Sequence, residues 1–542
     1  MVKDFFTQHI KRGLVRRLNN LKIATMARQV TKRAPEPDGA PIVFFKASTG
    51  IDDLSWNSGF HLLASWALRL QGVPVVYFAC DSGMSHCVLG TNRDHVQKKP
   101  PCKSCVYQSH TLYTGVPDKP LPTPSSRLHW FSFQRDEKLS NAVRGLSVKE
   151  MMSFAWEGMP LGELCLPGLR WILRIHHLQD DEDTRYLLRE YILSAWNVAQ
   201  KFSNLLDEIK PRAVVVFNGQ FYPEATARYV AQKRGIRVIT HEVGLQPASA
   251  FFTDGEATAY PIAIPEAFEM NQKQNAQLDA YLEKRFQGEF SMAGIKFWPE
   301  MKGLDETFLQ KAARFKQVVP VFTNVIFDTS QPHANTVFED MFTWLDLVLD
   351  VVRSHPETLF VIRAHPDELR VRKASRETVA AWVEATGANK EPNVIFVGPK
   401  ETLSSYELIQ KSKFVLVYNS TIGLEAAIMG APVLCGGKAR FTQYPTVFFP
   451  LTAAEQRNKM EEFLRAESIQ VPTEFKRNAR RFLYYQLFRS SLPFGDYLEP
   501  SVRTTQTRLK RFELEMLSPG KSVAMNTILP GLLENKGFLL EE

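Results

Sequence analysis

Residues 414–435 constrain the fold more than any other stretch. They read Phe-Val-Leu-Val-Tyr-Asn-Ser-Thr-Ile-Gly-Leu-Glu-Ala-Ala-Ile-Met-Gly-Ala-Pro-Val-Leu-Cys. The apolar run Phe414–Tyr418 suits a strand buried on both faces, as in a parallel sheet. Asn419, Ser420 and Thr421 break that run and can cap a helix. The short helix that begins there carries Glu425 in its first turn. Gly430 and Pro432 stop it, and Val433–Cys435 returns as a strand. Strand, polar turn and helix N-terminus together make an anion site, because free amides and the helix dipole converge. The phosphate or carboxylate of a nucleotide-sugar fits such a site.

A second anion-binding element lies upstream. Leu359–Ile362 reads as a buried strand, followed by Arg363-Ala-His365-Pro366-Asp-Glu368. Ligands in open α/β sheets sit beyond the carboxyl ends of strands. Pro366 keeps His365 extended, so its side chain can project. Arg363 offers a fork of donors to an oxyanion, and His365 a hydrogen bond or a proton. Each residue alone has a plainer use: Arg363 in a surface ion pair, His365 in a turn, Ser420 and Thr421 as caps, Glu425 against the dipole. Together, at two strand ends of one sheet, they favour a ligand site.

The chain has 542 residues, more than one core organises, so two or three domains are expected. No run of 18 apolar residues suggests a membrane span, and no signal-peptide core opens the chain; a cytoplasmic location is the expectation. Net charge is +8. The first 33 residues hold Lys3, Lys11, Arg12, Arg16, Arg17, Lys22, Arg28, Lys32 and Arg33 against Asp4 alone. Phe6, Ile10, Leu14, Leu18 and Leu21 recur there at helical spacing. A basic amphipathic helix suits an anionic membrane surface, peripheral on the inner face of the plasma membrane; a terminal helix packed on its own domain explains it equally. No nucleic-acid motif accompanies the charge.

Cys165 and Cys435 read as isolated core residues. Cys80, Cys87, Cys102 and Cys105 fall within 26 residues, and Pro-Pro-Cys-Lys-Ser-Cys resembles a metal knuckle. Thiolates of Cys87, Cys102 and Cys105 could hold a structural zinc, while Cys80 ends an apolar strand. A disulfide fits a reducing compartment less well.

After a Pro- and Gly-rich linker near 33–41, Ile42–Lys46, His61–Leu70 and Val73–Ala79 form a βαβ unit without GxGxxG, so no dinucleotide cofactor is indicated. Residues 81–135 read as irregular and 136–210 as helical. Asp180-Asp-Glu-Asp183 contains DxD but follows no strand, and reads as an acidic helix start. Ala213–Phe217 and Val238–Thr240 are strands around a helix at Pro223–Lys233. Residues 265–316 are polar and helical. A second alternation runs from Val318–Thr323 to Val433–Cys435, and 476–515 reads as a helical tail.

The combination Arg363-x-His365-Pro366-x-Glu368 with Ser420-Thr421-x-Gly423-x-Glu425-x4-Gly430-x-Pro432 resembles the capsule polysaccharide biosynthesis proteins, which include the Kdo transferases of capsule assembly. Asn324-x3-Asp328 and Trp344-Leu345 are similar to that family's nucleotide-side domain. The resemblance is best over 315–450 and weaker over 210–260. It implies a GT-B-like α/β fold: two Rossmann-like domains facing across a cleft, with C-terminal helices crossing back. The expected division is 1–35 (basic helix and linker), 36–315 (acceptor domain with helical insert), 316–475 (nucleotide-sugar domain) and 476–542 (helical tail).

The resemblance further implies a metal-independent glycosyltransferase. Its donor would be a CMP-, UDP- or GDP-linked sugar, and its acceptor a surface or capsular polysaccharide or glycolipid. His365 with Ser420 and Thr421 would hold the leaving phosphate, with Asn324, Arg363, Glu368, Asn419, Gly423 and Glu425 completing the donor site. UDP- and GDP-sugar enzymes place a Glu near Glu425 on the ribose. The acceptor hydroxyl needs a general base, expected from the first domain: Glu242, Asp52 or Asp53, with His241 and Glu224 behind them. Competing expectations are a nucleotide-sugar epimerase of the same fold, a polyol-phosphate transferase and a non-catalytic scaffold of a polysaccharide assembly complex.

Overall fold

The computed structural model describes residues 2–46, 50–118, 125–287, 291–292, 295–296, 302–370 and 374–541. Of residues 2–10, 291–292 and 295–296 only the backbone is described, so Lys3, Asp4, Phe6 and Ile10 of the basic stretch lie outside the described side chains.

Two sheets organise the chain. The first contains β1 (Ile42–Lys46), β2 (Val75–Cys80), β3 (Arg127–Phe131), β4 (Ala213–Phe217), β5 (Arg237–Val243) and β6 (Ser249–Thr253). The second contains β7 (Gln317–Phe322), β8 (Thr358–Arg363), β9 (Val394–Val397), β10 (Val415–Val417) and β11 (Val433–Cys435). A late strand, β12 (Leu492–Pro493), returns to the first sheet. The first sheet runs β12-β6-β5-β4-β1-β2-β3 and the second β9-β8-β7-β10-β11. The second is parallel throughout; β6 and β12 add antiparallel pairings at one edge of the first.

Continuous apolar strands follow from burial on both faces. Val43 and Phe45 enter one core of the first domain, Ile42 and Phe44 the other. Val319 and Val321 likewise oppose Val318 and Phe322 in the second domain. Helices cover these faces: α1 (Val2–Arg33), α2 (Trp56–Leu70), α3 (Cys102–Leu112), α4 (Leu161–Leu173), α5 (Glu182–Ile209) and α6 (Tyr222–Gln232) on the first domain. α7 (Gln272–Phe286), α8 (Met341–Ser354), α9 (Val379–Thr386) and α10 (Ile422–Met429) belong to the second. This is the two-domain GT-B-like arrangement that the resemblance implies.

Several expectations change. Residues 81–135 are not wholly irregular: they hold α3 and β3. The expected acidic helix start is unchanged: Asp181 caps α5 by accepting from the Thr184 amide at 2.8 Å. The expected helical stretch 476–515 is filled at its start by α11 (Thr473–Tyr484) and a π-helical turn to Arg489; β12 follows, and with α12 (Val523–Leu533) further on it joins the first domain. α1 docks through Ile23, Met26, Ala27 and Val30, while Leu14, Leu18 and Leu21 stay exposed. Among the described residues, no helix is long and apolar enough to cross a membrane.

Candidate functional site

Parallel pairing places the carboxyl ends of β7, β8 and β10 side by side. They open into a cleft of about 610 Å³ between the domains. Asn324, Arg363, His365, Asn419, Ser420, Thr421 and Glu425 all line it. Residues from separate segments thus meet on one wall, and the volume suits a drug- or nucleotide-sized ligand.

The geometry separates their roles. The Asn324 amide nitrogen donates to Asn419 Oδ1 at 2.7 Å, tying β7's end to β10's. The Asp367 amide donates to His365 Nδ1 at 3.2 Å, which leaves the proton on Nε2 to offer a ligand. Burial lowers the His365 pKa, so the ring is neutral at neutral pH. Arg363 is buried and donates to the Leu403 carbonyl; burial brings its pKa down to about 10, still cationic. Thr421 precedes α10 with helical φ and ψ and makes no side-chain cap. Its exposed hydroxyl is therefore not consumed by the helix, whose start at Ser420–Ile422 lines the cleft, while the Gly423, Leu424 and Glu425 amides donate to the Ser420 and Thr421 carbonyls.

Three sequence candidates have structural duties. Gly423 does not line the cleft; a Cβ there would come 2.8 Å from Val417 Cγ1, so glycine lets α10 sit on β10. Glu368 is buried away from the cleft, and its Oε1 accepts from the Val379 amide at the start of α9. Glu425 lines the cleft but accepts from Arg285 at 2.6 Å and from the Tyr406 hydroxyl at 2.5 Å.

The expected general bases do not reach the cleft. Asp52 pairs with Arg12 and Arg16 of α1 at 3.2 and 2.6 Å. Asp53 is buried and accepts from the Leu54 amide. Glu242 accepts from Asn57 and the Val243 amide, each at 2.9 Å. His241 contacts buried His61 at 3.1 Å, and burial lowers its pKa to about 3. Glu224 is buried, with burial raising its pKa and the Lys46 charge opposing that rise. None of these five is among the cleft's lining residues.

The first domain contributes Arg174 instead. It ends α4 with φ 61° and is 4% exposed. Its guanidinium lies 4.1 Å from the Trp171 ring and 5.0 Å from the Phe327 ring. Its Nε and Nη1 are buried without hydrogen-bond partners. Burial brings its pKa to about 10, and the group lines the cleft as a cation. His333, Lys438 and Arg440 add basic character; His333 Nε2 lies 2.9 Å from Thr258 and 3.2 Å from Glu256 of the first domain. The sequence carried no signal for Arg174, because it lies about 150 residues before the strands it faces.

Residues 297–461 match the family model described as capsule polysaccharide biosynthesis protein. The match spans most of the second domain. The motif resemblance therefore holds where the strand ends form the cleft. Among solved structures, the chain is similar to the Thermosulfurimonas dismutans KpsC β-Kdo 2,4 transferase at 12% identity, over 52% of this chain and 80% of that one, with TM-score 0.34. The 2,7 transferase of the same organism's KpsC gives 13% identity, 62% and 90% coverage, and TM-score 0.31. UDP-GlcNAc 2-epimerase from Neisseria meningitidis gives 13% identity, 82% and 98% coverage, and TM-score 0.24. No curated protein matches the chain.

Proposed function

We propose that the protein is a glycosyltransferase of capsular or surface polysaccharide synthesis, taking its sugar from a nucleotide-sugar bound in the interdomain cleft. One observation carries the reading. Arg174 of the first domain, with two unpartnered buried nitrogens, shares the cleft with Arg363, His365 and the Ser420–Thr421 helix start. Buried donors without hydrogen-bond partners are costly unless an acceptor completes them. A nucleotide-sugar supplies phosphate, and an acidic sugar adds a carboxylate.

Chemistry follows from charge. As the bond from the anomeric carbon to the phosphate oxygen breaks, negative charge grows on the leaving phosphate. The Ser420 and Thr421 hydroxyls, His365 Nε2–H and the arginines stabilise that charge in place, so no divalent cation is required. The acceptor hydroxyl must lose its proton as it attacks. We assign this step to Asp328. Among lining carboxylates, Glu425 is held by Arg285 and Tyr406, and Asp367 lies 3.6 Å from Arg370. The Asp328 carboxylate accepts only from Ser330 of its own loop among the described residues. The exposed Leu14, Leu18 and Leu21, with exposed Lys11, Arg17 and Arg28, suit an anionic membrane surface carrying a glycolipid acceptor.

The test is a thermal-shift screen with CMP, CDP, UDP, GDP and dTDP, repeated on His365→Ala and Arg174→Ala. One nucleotide should stabilise the wild type, by roughly 2.7 kcal/mol at 100 times its dissociation constant, and both variants should lose much of the shift. Transfer assays should then show Asp328→Asn losing turnover with nucleotide affinity retained, and EDTA leaving the rate unchanged. No response to any nucleotide, or full activity in His365→Ala, would refute the reading.

A further inference from the structure

The cysteines of the first domain have no role in the reaction above, yet the fold gathers them. Cys80 ends β2, Cys87 lies in the following loop, and Cys102 and Cys105 occupy the first turn of α3. Distinct segments thus bring Cys80-x6-Cys87-x14-Cys102-x2-Cys105 around one small cavity, which all four line together with Met84, Pro100 and Val106. None of the four is in a disulfide.

We propose that these four cysteines hold a [4Fe–4S] cluster. This replaces the three-cysteine zinc expected from the sequence by a four-thiolate site and a larger inorganic core. The assignment is independent of the transferase reading, since it uses none of the cleft residues.

Three observations point this way. The first is spacing. A single zinc draws its thiolates to about 3.8 Å from one another, since each Zn–S bond is about 2.3 Å in a tetrahedron. Among the described residues, which include all four cysteines, no three of their sulfurs lie mutually within 4.8 Å. In a cubane each thiolate binds its own iron, so the sulfurs stand further apart around a central body. A cavity of about 20 Å³ lies between the four cysteines, where that body would sit.

The second is the treatment of the sulfurs. The Gly83 amide donates to Cys80 Sγ at 3.1 Å, and the Gly90 amide donates to Cys87 Sγ at 3.3 Å. Both donors are three residues after their cysteine, wrapping the backbone around the thiol. A Cβ on Gly90 would lie 2.9 Å from Cys87 Sγ and 2.7 Å from Pro100, so this approach requires glycine. Amide hydrogen bonds to cysteine sulfur tune bound clusters. Cys102 and Cys105 sit one turn apart at the N-terminal end of α3.

The third is the loop itself. Residues 81–101 contain no helix or strand, yet Met84, His86, Val88, Thr91 and Val96 are buried. A long structureless segment inside a compact domain needs something to offset its ordering cost. A centre ligated from β2, the loop and α3 joins both loop ends to its middle.

The experiment is anaerobic purification of the full chain, with iron, acid-labile sulfide and zinc measured per chain alongside the visible absorption spectrum. About four iron and four sulfide per chain are expected, with broad sulfur-to-iron charge-transfer absorption. Cys87→Ser and Cys105→Ser should each lose most of the iron, while Cys165→Ala, outside the cavity, keeps it. If a cysteine variant fails to fold, chelating iron from the wild type under mild oxidation should bleach the colour and lower the melting temperature. One zinc per chain without sulfide would overturn the cluster. So would absence of iron and sulfide after anaerobic reconstitution, or iron that persists in both cysteine variants.

Discussion

At the scale of single residues, Glu425 shows how a correctly placed side chain can carry a different duty. A carboxylate in the first turn of α10 is explained locally by the helix dipole. In the folded chain it is 3% exposed and bonded to Arg285 and Tyr406 from two other segments. Removing one partner leaves a buried charge uncompensated. Arg285→Leu should cost about 3–5 kcal/mol in urea unfolding; an unchanged midpoint would refute the pairing. Arg174 predicts the opposite pattern. Two of its nitrogens lack protein partners, so Arg174→Leu should keep the melting temperature and weaken nucleotide-sugar binding by roughly 10- to 100-fold. Equal affinity in the variant would remove it from the site. His365 and Thr421 were legible because strand ends and helix starts are local patterns. Arg174, Arg285 and Tyr406 were not, because their importance arises from long-range contact.

At the scale of elements, α1 packs on its own domain and keeps an exposed apolar stripe. Its later half buries Ile23, Met26, Ala27 and Val30, so deleting the helix would damage the first domain's core. The exposed stripe can be tested without that damage. Leu14→Ser with Leu18→Ser should reduce sedimentation with anionic vesicles while leaving the melting temperature unchanged; equal binding would show that the stripe is idle. A second element joins the domains beside the cleft. After α4, His177 lies 3.0 Å from Asp340 Oδ2 and 2.8 Å from Glu377 Oε1. Hydrogen bonds to Asp340 and Glu377 raise the His177 pKa to about 10. Burial opposes ionisation of Asp340, but His177 and the Thr343 amide hold it at about 2.

Arg170 and His176 also face this cluster, His176 being neutral because burial lowers its pKa to about 4. A raised folded pKa stabilises fully below the unfolded value near 6.5 and fades as pH rises through about 10. The Asp340 contribution is present above its unfolded value near 3.8 and fades as pH falls through about 2. His177→Gln should therefore lower the melting temperature near pH 6, with the gap to wild type closing above pH 10. A gap independent of pH would refute the ionic clasp.

At the scale of the whole molecule, the C-terminal segment is part of the first domain. Leu492, Phe494, Tyr497, Leu498, Leu509, Leu517 and Ile528 enter its core. At roughly 1.5 kcal/mol or more each, they match the ~5–15 kcal/mol net stability of a domain. Ending the chain at Ser490 should therefore give insoluble protein or fast amide exchange in β5 and β6; native-like exchange would refute this dependence. Apolar runs, caps and glycine stops act over a few residues, so the alternating α/β class, most strand positions and the strand ends that meet in the cleft were already written in the order of the residues. That Asp52 serves α1, that Arg174 faces the cleft and that four cysteines share a cavity emerged only on folding. Those outcomes depend on which distant segments the parallel sheets and the returning tail bring together, and no local pattern encodes that.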